Sequence, residues 1–163
     1  MKAQDVLKAS LKTTQMIFQS YVSDLTDAEL LERPGPGCNS IAWQLGHLIS
    51  SNTSILNMIA PGAAPSLPEG FDAQHSKAMA QSDDVSGFMT KDEYLALFNQ
   101  LDQAILTTFG QMTEEDLDRP SPEAWRNKFP TLGSLAVLLA SHTMMHAGQF
   151  VPIRRRLNKP VLI

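Results

Sequence analysis

The sequence predicts an all-α fold, specifically a four-helix bundle, and three observations carry that prediction. Four long segments repeat apolar residues at helical spacing, three of them are bounded by a recognisable cap or breaker, and no segment shows convincing strand alternation. From residue 4 to about 25, Leu7, Leu11, Phe18, Val22 and Leu25 recur with lysines and polar residues between them, giving the first helix. Asn39 or Ser40 can cap the second, in which Ile41, Leu45, Leu48, Ile55 and Ile59 hold one face until Pro61 and Gly62 stop it. Residues 61 to 89 are rich in Pro, Gly, Ser and Asp without a sustained period, so they form a long connection with room for a short helical turn. Thr90 and Glu93 make a capping box that opens the third helix, whose stripe of Leu97, Leu101, Ile105 and Thr108 ends near Gly110. Thr131 caps the fourth, carried by Leu132, Leu135, Leu139, His142, His146 and Phe150; Gly148 and Pro152 are expected to bend or end it.

An internal echo refines this picture. Leu25-Thr-Asp-Ala-Glu-Leu followed by Arg33-Pro34 recurs as Met112-Thr-Glu-Glu-Asp-Leu followed by Arg119-Pro120. Each copy sits between two long helices, so the chain reads as two similar halves joined by the crossover between helices 2 and 3. A simple up-down-up-down bundle is disfavoured, because short loops suffice for it.

With 163 residues the prior is one domain, spanning 1–163. Thirteen Lys and Arg against 17 Asp and Glu give a net charge of −4, which generates no global field for nucleic acid or anionic lipid. The single cysteine, Cys38, rules out an internal disulfide framework and a cysteine-based zinc knuckle, and fits a reducing, cytoplasmic setting. Neither a signal-peptide core nor an apolar run long enough to span a bilayer is present. A charged fraction of 18% is lean, and a second copy of the chain covering part of the surface is the simplest account.

The residues able to carry chemistry are the histidines. His142 and His146 are spaced i,i+4, one turn apart on the face expected to be buried, with no Asp or Glu from Thr131 onward to partner them. An ion between them would satisfy both rings; two separately hydrogen-bonded core histidines are the plainer account. The candidates for a third ligand are His47 on helix 2 and His75 in the crossover, where the polar neighbours of His75 predict a solvated ring. Three imidazoles without a fourth protein ligand leave positions open for water or substrate, as in catalytic rather than structural sites. Imidazole suits zinc, nickel, iron and copper alike.

Taken together, Ser40-Ile-Ala-Trp43-Gln-Leu-Gly46-His47-Leu, His142-x-x-x-His146-Ala-Gly-Gln149 and Arg154-Arg-Arg-Leu-Asn-Lys-Pro160 resemble the DinB/YfiT-like superfamily over nearly the whole chain. The resemblance implies a four-helix bundle of up-down-down-up topology, a homodimer, and a divalent ion (zinc, nickel or iron) held by His47, His142 and His146. It also implies a small-molecule substrate, with characterised relatives including S-transferases that use a low-molecular-weight thiol; hydrolase chemistry and a non-catalytic metal- or ligand-binding stress protein are the other readings. It assigns no catalytic residue. Cys38, just before helix 2, is read as incidental rather than as a nucleophile. Gln149 is a candidate support for the histidines. Arg154, Arg155, Arg156 and Lys159 are read as a solvated helix end that favours the negative dipole terminus, with an anion clamp as the functional alternative.

Overall fold

The structure, a computed structural model, describes residues 1–161. Its helices are α1 (Ala3–Val22), α2 (Asp27–Leu30), α3 (Ile41–Ile59), α4 (Phe71–Gln74), α5 (Lys91–Gln111), α6 (Glu114–Asp118), α7 (Glu123–Arg126) and α8 (Leu132–Arg156), with one 3-10 turn at Lys77–Met79. The four long ones, α1, α3, α5 and α8, make the bundle.

Capping explains where they begin. The hydroxyls of Ser40, Thr90 and Thr131 accept from the amides of Trp43, Glu93 and Ser134, satisfying donors that a helix start leaves without a partner. The two copies of the echo are α2 and α6, each a short helix closed by its own capping box, Thr26 with Glu29 and Thr113 with Asp116.

Helix directions follow from side-chain contacts. Thr14 donates to the Ala140 carbonyl at 2.9 Å and Arg154 to that of Tyr21 at 2.8 Å, so α1 and α8 run parallel. Asn52 meets His142 while Gln44 meets His146, so α3 opposes α8. Phe18 packs on Phe98 with centroids 4.6 Å apart and Gln4 donates to the Met112 carbonyl, so α5 opposes α1. The result is up-down-down-up. α1 and α3 each lie against α5 and α8, so the diagonal pairs are α1 with α3 and α5 with α8, while α3 and α5 are parallel neighbours. Successive helices that run parallel need a connection that returns along the bundle, and the crossover between α3 and α5 supplies it.

The apolar interior divides into two clusters. Leu45, Leu48, Phe98 and Phe150 belong to one, and Leu11, Leu56, Ile105 and Leu139 to the other. Between them the inward positions are polar: Thr14, Asn52 and Thr143 are buried there, each with a hydrogen bond. A polar seam in an apolar bundle weakens packing unless its groups are paired, and it is where the histidines emerge.

Two expectations about chain ends are corrected. Pro152 does not end the fourth helix, which continues to Arg156. Proline removes the bond to the carbonyl four residues earlier, and that residue, Gly148, is exposed, as is Pro152, so water can replace the lost donor. Beyond it Ile153 and Arg154 are buried and hold the last turn in place. Nor is Arg154 a solvated helix end or an anion clamp. Its exposure is 0%, and all three nitrogens of its guanidinium are engaged: Nη1 and Nη2 grip the Asp24 carboxylate at 2.6 and 3.0 Å, Nη1 also donates to the Tyr21 carbonyl, and Nε donates to the Pro160 carbonyl at 2.9 Å. Arg155 and Arg156 are exposed, the latter donating to the Arg33 carbonyl.

The crossover is docked rather than loose. Trp43 Nε1 donates to the Ser76 carbonyl at 3.1 Å and the Ser50 hydroxyl to Asp72 at 2.5 Å. Arg33 donates to the carbonyls of Ala80 and Ser82. Between these anchors His75 enters the bundle. Its exposure is 2%, contrary to the solvated ring expected of it. Nδ1–H donates to the Phe71 carbonyl (2.9 Å), Nε2 accepts from the Tyr94 hydroxyl (2.8 Å), and the Tyr94 oxygen accepts from the Met89 amide (3.3 Å). Every polar atom of a neutral ring is thereby satisfied. The ring lies over Gly46, where a Cβ would come within 1.9 Å of an imidazole carbon.

Candidate metal centre

α3 is read on two sides. Trp43, Gly46 and Ser50, spaced by three and four residues, receive the crossover, whereas Gln44 and Asn52 reach α8. His47 stands at the junction. It stacks on Trp43 with rings 4.8 Å apart and 9° from parallel, so the indole that anchors the crossover also sets the plane of this imidazole.

His47, His142 and His146 converge, offering one nitrogen each within 4.8 Å of one another. Their ring centroids are 5.9 Å (His47 to His142), 5.4 Å (His47 to His146) and 5.1 Å (His142 to His146) apart. His75, the other candidate for a third ligand, is occupied elsewhere.

The tautomers of the α8 pair are dictated by two amides on α3. His142 Nδ1 is 2.9 Å from Asn52 Oδ1, and His146 Nδ1 is 2.9 Å from Gln44 Oε1. The amides are themselves oriented, since Asn52 Nδ2 donates to the Thr143 hydroxyl and Gln44 Nε2 to the Asn39 carbonyl. With amide oxygens facing both Nδ1 atoms, the proton must sit on Nδ1 and the lone pair on Nε2. Such a pair fits a borderline divalent ion, which takes neutral imidazole nitrogens whose other N–H is held by an acceptor. Burial adds to this. His142 and His146 are pushed down to about 4, first by loss of solvation and then by neighbouring imidazoles; His47 is also lowered, by burial and then by Lys77.

A pH response follows for chelator-treated protein. In the unfolded chain these rings protonate near 6.5, but the folded ones resist protonation until about 4. Over that interval the unfolded state binds more protons, so stability falls as pH falls and levels off below about 4. Asp102, raised by burial to about 6, works in the opposite sense, since the folded state then holds the extra proton. Two strongly shifted imidazoles outweigh one carboxyl. The melting temperature in chelator is expected to drop between pH 6.5 and 4, more steeply in Asp102→Asn; a flat profile in both would show that the imidazoles titrate freely.

Beside the cluster a cleft opens between α3, α7 and α8. Ile55, Trp125, Phe129, Leu138 and Met145 form its apolar lining, and His47, His142 and Ser51 also line it. Cys38 is exposed in the segment before α3 and does not line this cleft; Gln149 is exposed and supports neither α8 histidine. The residues that do support them, Asn52 and Gln44, were not anticipated. Their signal was available only as polar side chains inside an otherwise apolar helix.

The sequence matches the DinB superfamily model over residues 10–150. No curated protein matches it. Among solved structures it is similar to YfiT from Bacillus subtilis, described as a probable metal-dependent hydrolase with an unusual four-helix bundle topology. That match has 18% identity and a TM-score of 0.64, covering 96% of this chain and 89% of the other. It is likewise similar to a conserved protein from Enterococcus faecalis, at 20% identity and a TM-score of 0.70, covering 98% of this chain and 99% of the other. At these identities the likeness establishes the fold.

Proposed function

The chain belongs to the DinB superfamily, and from this we propose that it is a single-domain, divalent-metal-dependent enzyme that acts on a small molecule, with His47, His142 and His146 as the ligands. The observation that carries the reading is the pair of amide-locked imidazoles, which turn two unprotonated nitrogens toward a third ring. Among the described residues no carboxylate or cysteine completes the set, leaving positions for a reactant. A bound ion would supply Lewis acidity, making a nucleophile available near neutral pH. The chain's own part is to hold the rings: Asn52 and Gln44 keep the Nδ1 protons, Trp43 fixes His47, and the apolar wall of the cleft excludes water from one side of the reactant.

Hydrolysis is the reaction we favour, in line with the description of YfiT. A second reading, transfer to a low-molecular-weight thiol, is supported by the cleft lining, which offers no Asp or Glu as a base for water. The test begins with protein purified without a nickel column. One ion per chain is expected by elemental analysis, with ligand distances of about 2.0–2.1 Å if it is zinc. Chelation should lower the melting temperature of the wild type, since an ion at 100 times its Kd adds about 2.7 kcal/mol, and should leave His146→Ala nearly unmoved. Equal responses would mean that the ion is not held by this set. Activity is then assayed on ester and amide panels and on conjugation of monochlorobimane with small thiols. Cys38→Ser is expected to retain whichever activity is found. Metal-loaded protein inactive in both panels would leave a non-catalytic metal-binding protein.

A further inference from the structure

The cleft beside the three histidines has a composition unlike the rest of the molecule. The chain carries more acidic than basic residues, 17 against 13, yet the residues lining the cleft include two lysines and no carboxylate. Lys77 comes from the 3-10 turn of the crossover and Lys128 from the segment after α7, so two separate connections each deliver one ammonium to the same opening. Neither makes an ion pair or hydrogen bond among the described residues, and both are exposed, so each is free to swing onto a ligand. The carboxylate bonded to the Ser50 hydroxyl, that of Asp72, lines the adjoining depression under the crossover instead.

Opposite polarity is supplied by the wall. Trp125 and Phe129 pack against each other, with centroids 5.9 Å apart, and are only half-buried, leaving ring surface turned to the cleft beside Ile55, Leu138 and Met145. Half-covered aromatic surface next to unpaired ammonium groups suits a ligand that is apolar along its body and anionic at one end.

We infer that the substrate of this site is a small organic anion, a carboxylate or phosphate ester with an apolar body, whose charged end is recognised by Lys77 and Lys128 while its body lies on Trp125 and Phe129. The inference takes the three-histidine site as the place of reaction, but its lysine clamp is a property of the chain alone and is testable without an ion. The charge does two things. It draws the anion into a cleft that the net negative surface would otherwise repel, and it fixes which end of the molecule faces the lysines.

The probes are 4-phenylbutanoate and its neutral isostere 4-phenylbutanamide, titrated into the chelator-treated protein and followed by tryptophan fluorescence. The carboxylate is expected to bind about tenfold more tightly than the amide, as two partly exposed charge contacts allow. The preference should shrink as salt is raised. In the doubly substituted K77M/K128M protein, with its circular dichroism and melting temperature unchanged, the carboxylate should fall to the affinity of the amide. Trp125→Ala should weaken both probes together. Equal binding of acid and amide by the wild type would overturn the inference. So would a preference that appears only after metal is restored and survives the lysine substitutions, because the ion itself would then be the anion receptor. Failure of either probe to bind would remove the cleft as a ligand site. If the acid preference holds but no ion binds to the histidines, the clamp stands and the metal-dependent reading falls.

Discussion

Replacing Arg154 by methionine is expected to destabilise the protein by about 3 kcal/mol, equivalent to a melting temperature lower by roughly 6–12 °C for a domain of this size. The methionine keeps most of the buried stem but removes four hydrogen bonds that join three parts of the chain: the carboxylate of Asp24, the carbonyl of Tyr21 at the end of α1, and that of Pro160 after α8. It also removes a cation set 5.5 Å from the Tyr21 ring centre. The loss is smaller than for a wholly buried ion pair, because the Asp24 side chain is 42% exposed and can be rehydrated. Lysine should recover less than half of it. One ammonium can meet Asp24, but it cannot serve diverging acceptors as a planar guanidinium does. Asp24→Asn should also be costly, since the guanidinium then remains buried without a counter-charge. Urea unfolding followed by far-ultraviolet circular dichroism measures all three; a change below about 1 kcal/mol for the methionine variant would show that the network is incidental.

Gly46→Ala is expected to cost a similar amount, for a steric reason. The new Cβ would lie 1.9, 2.2 and 2.3 Å from three atoms of the His75 ring. That ring cannot yield, being bonded at both nitrogens and packed against Phe71 and Phe88, with centroids at 4.4 and 5.3 Å. Either the crossover or α3 must shift, giving about 2–4 kcal/mol from overpacking plus a stranded Tyr94 hydroxyl. Because the next residue is His47, the shift should also weaken metal binding. His75→Ala creates the missing room, so the double variant should be more stable than the sum of the two single changes predicts, by at least about 1 kcal/mol. Strict additivity would mean that the two residues do not touch.

Much of the architecture was legible because it is written in local chemistry. The stripes of Leu7, Leu11 and Phe18 or Leu132, Leu135 and Leu139 specify amphipathic helices by spacing, and Thr90 and Thr131 mark starts that the structure reproduces. The crossover and the echo pointed to two halves, and the helix directions agree. The three histidines were legible through motif resemblance, whereas their convergence needed the fold. What escaped was decided by distant partners. His75 has polar sequence neighbours and was expected in water, yet Tyr94 and Phe71 give it a satisfied interior site. Arg154 stands in a run of three arginines, and only the turn at Asp24 distinguishes it from the two beside it. Asn52 and Gln44 lie 90 and 102 residues from the rings they orient, a separation over which no periodicity argument operates.

The parallel pairing of α1 with α8 has a consequence for the order of assembly. The bond from Thr14 to the Ala140 carbonyl joins residues 126 positions apart, so the earliest long helix of the bundle packs against the latest. Closing so long a loop carries an entropic penalty before any contact repays it. A nascent chain can form α1, α3 and α5 while still lacking the helix that covers both α1 and α3. Their apolar faces then stay open until α8 leaves the ribosome, and that interval is the one in which a holding chaperone or an off-pathway association competes with folding.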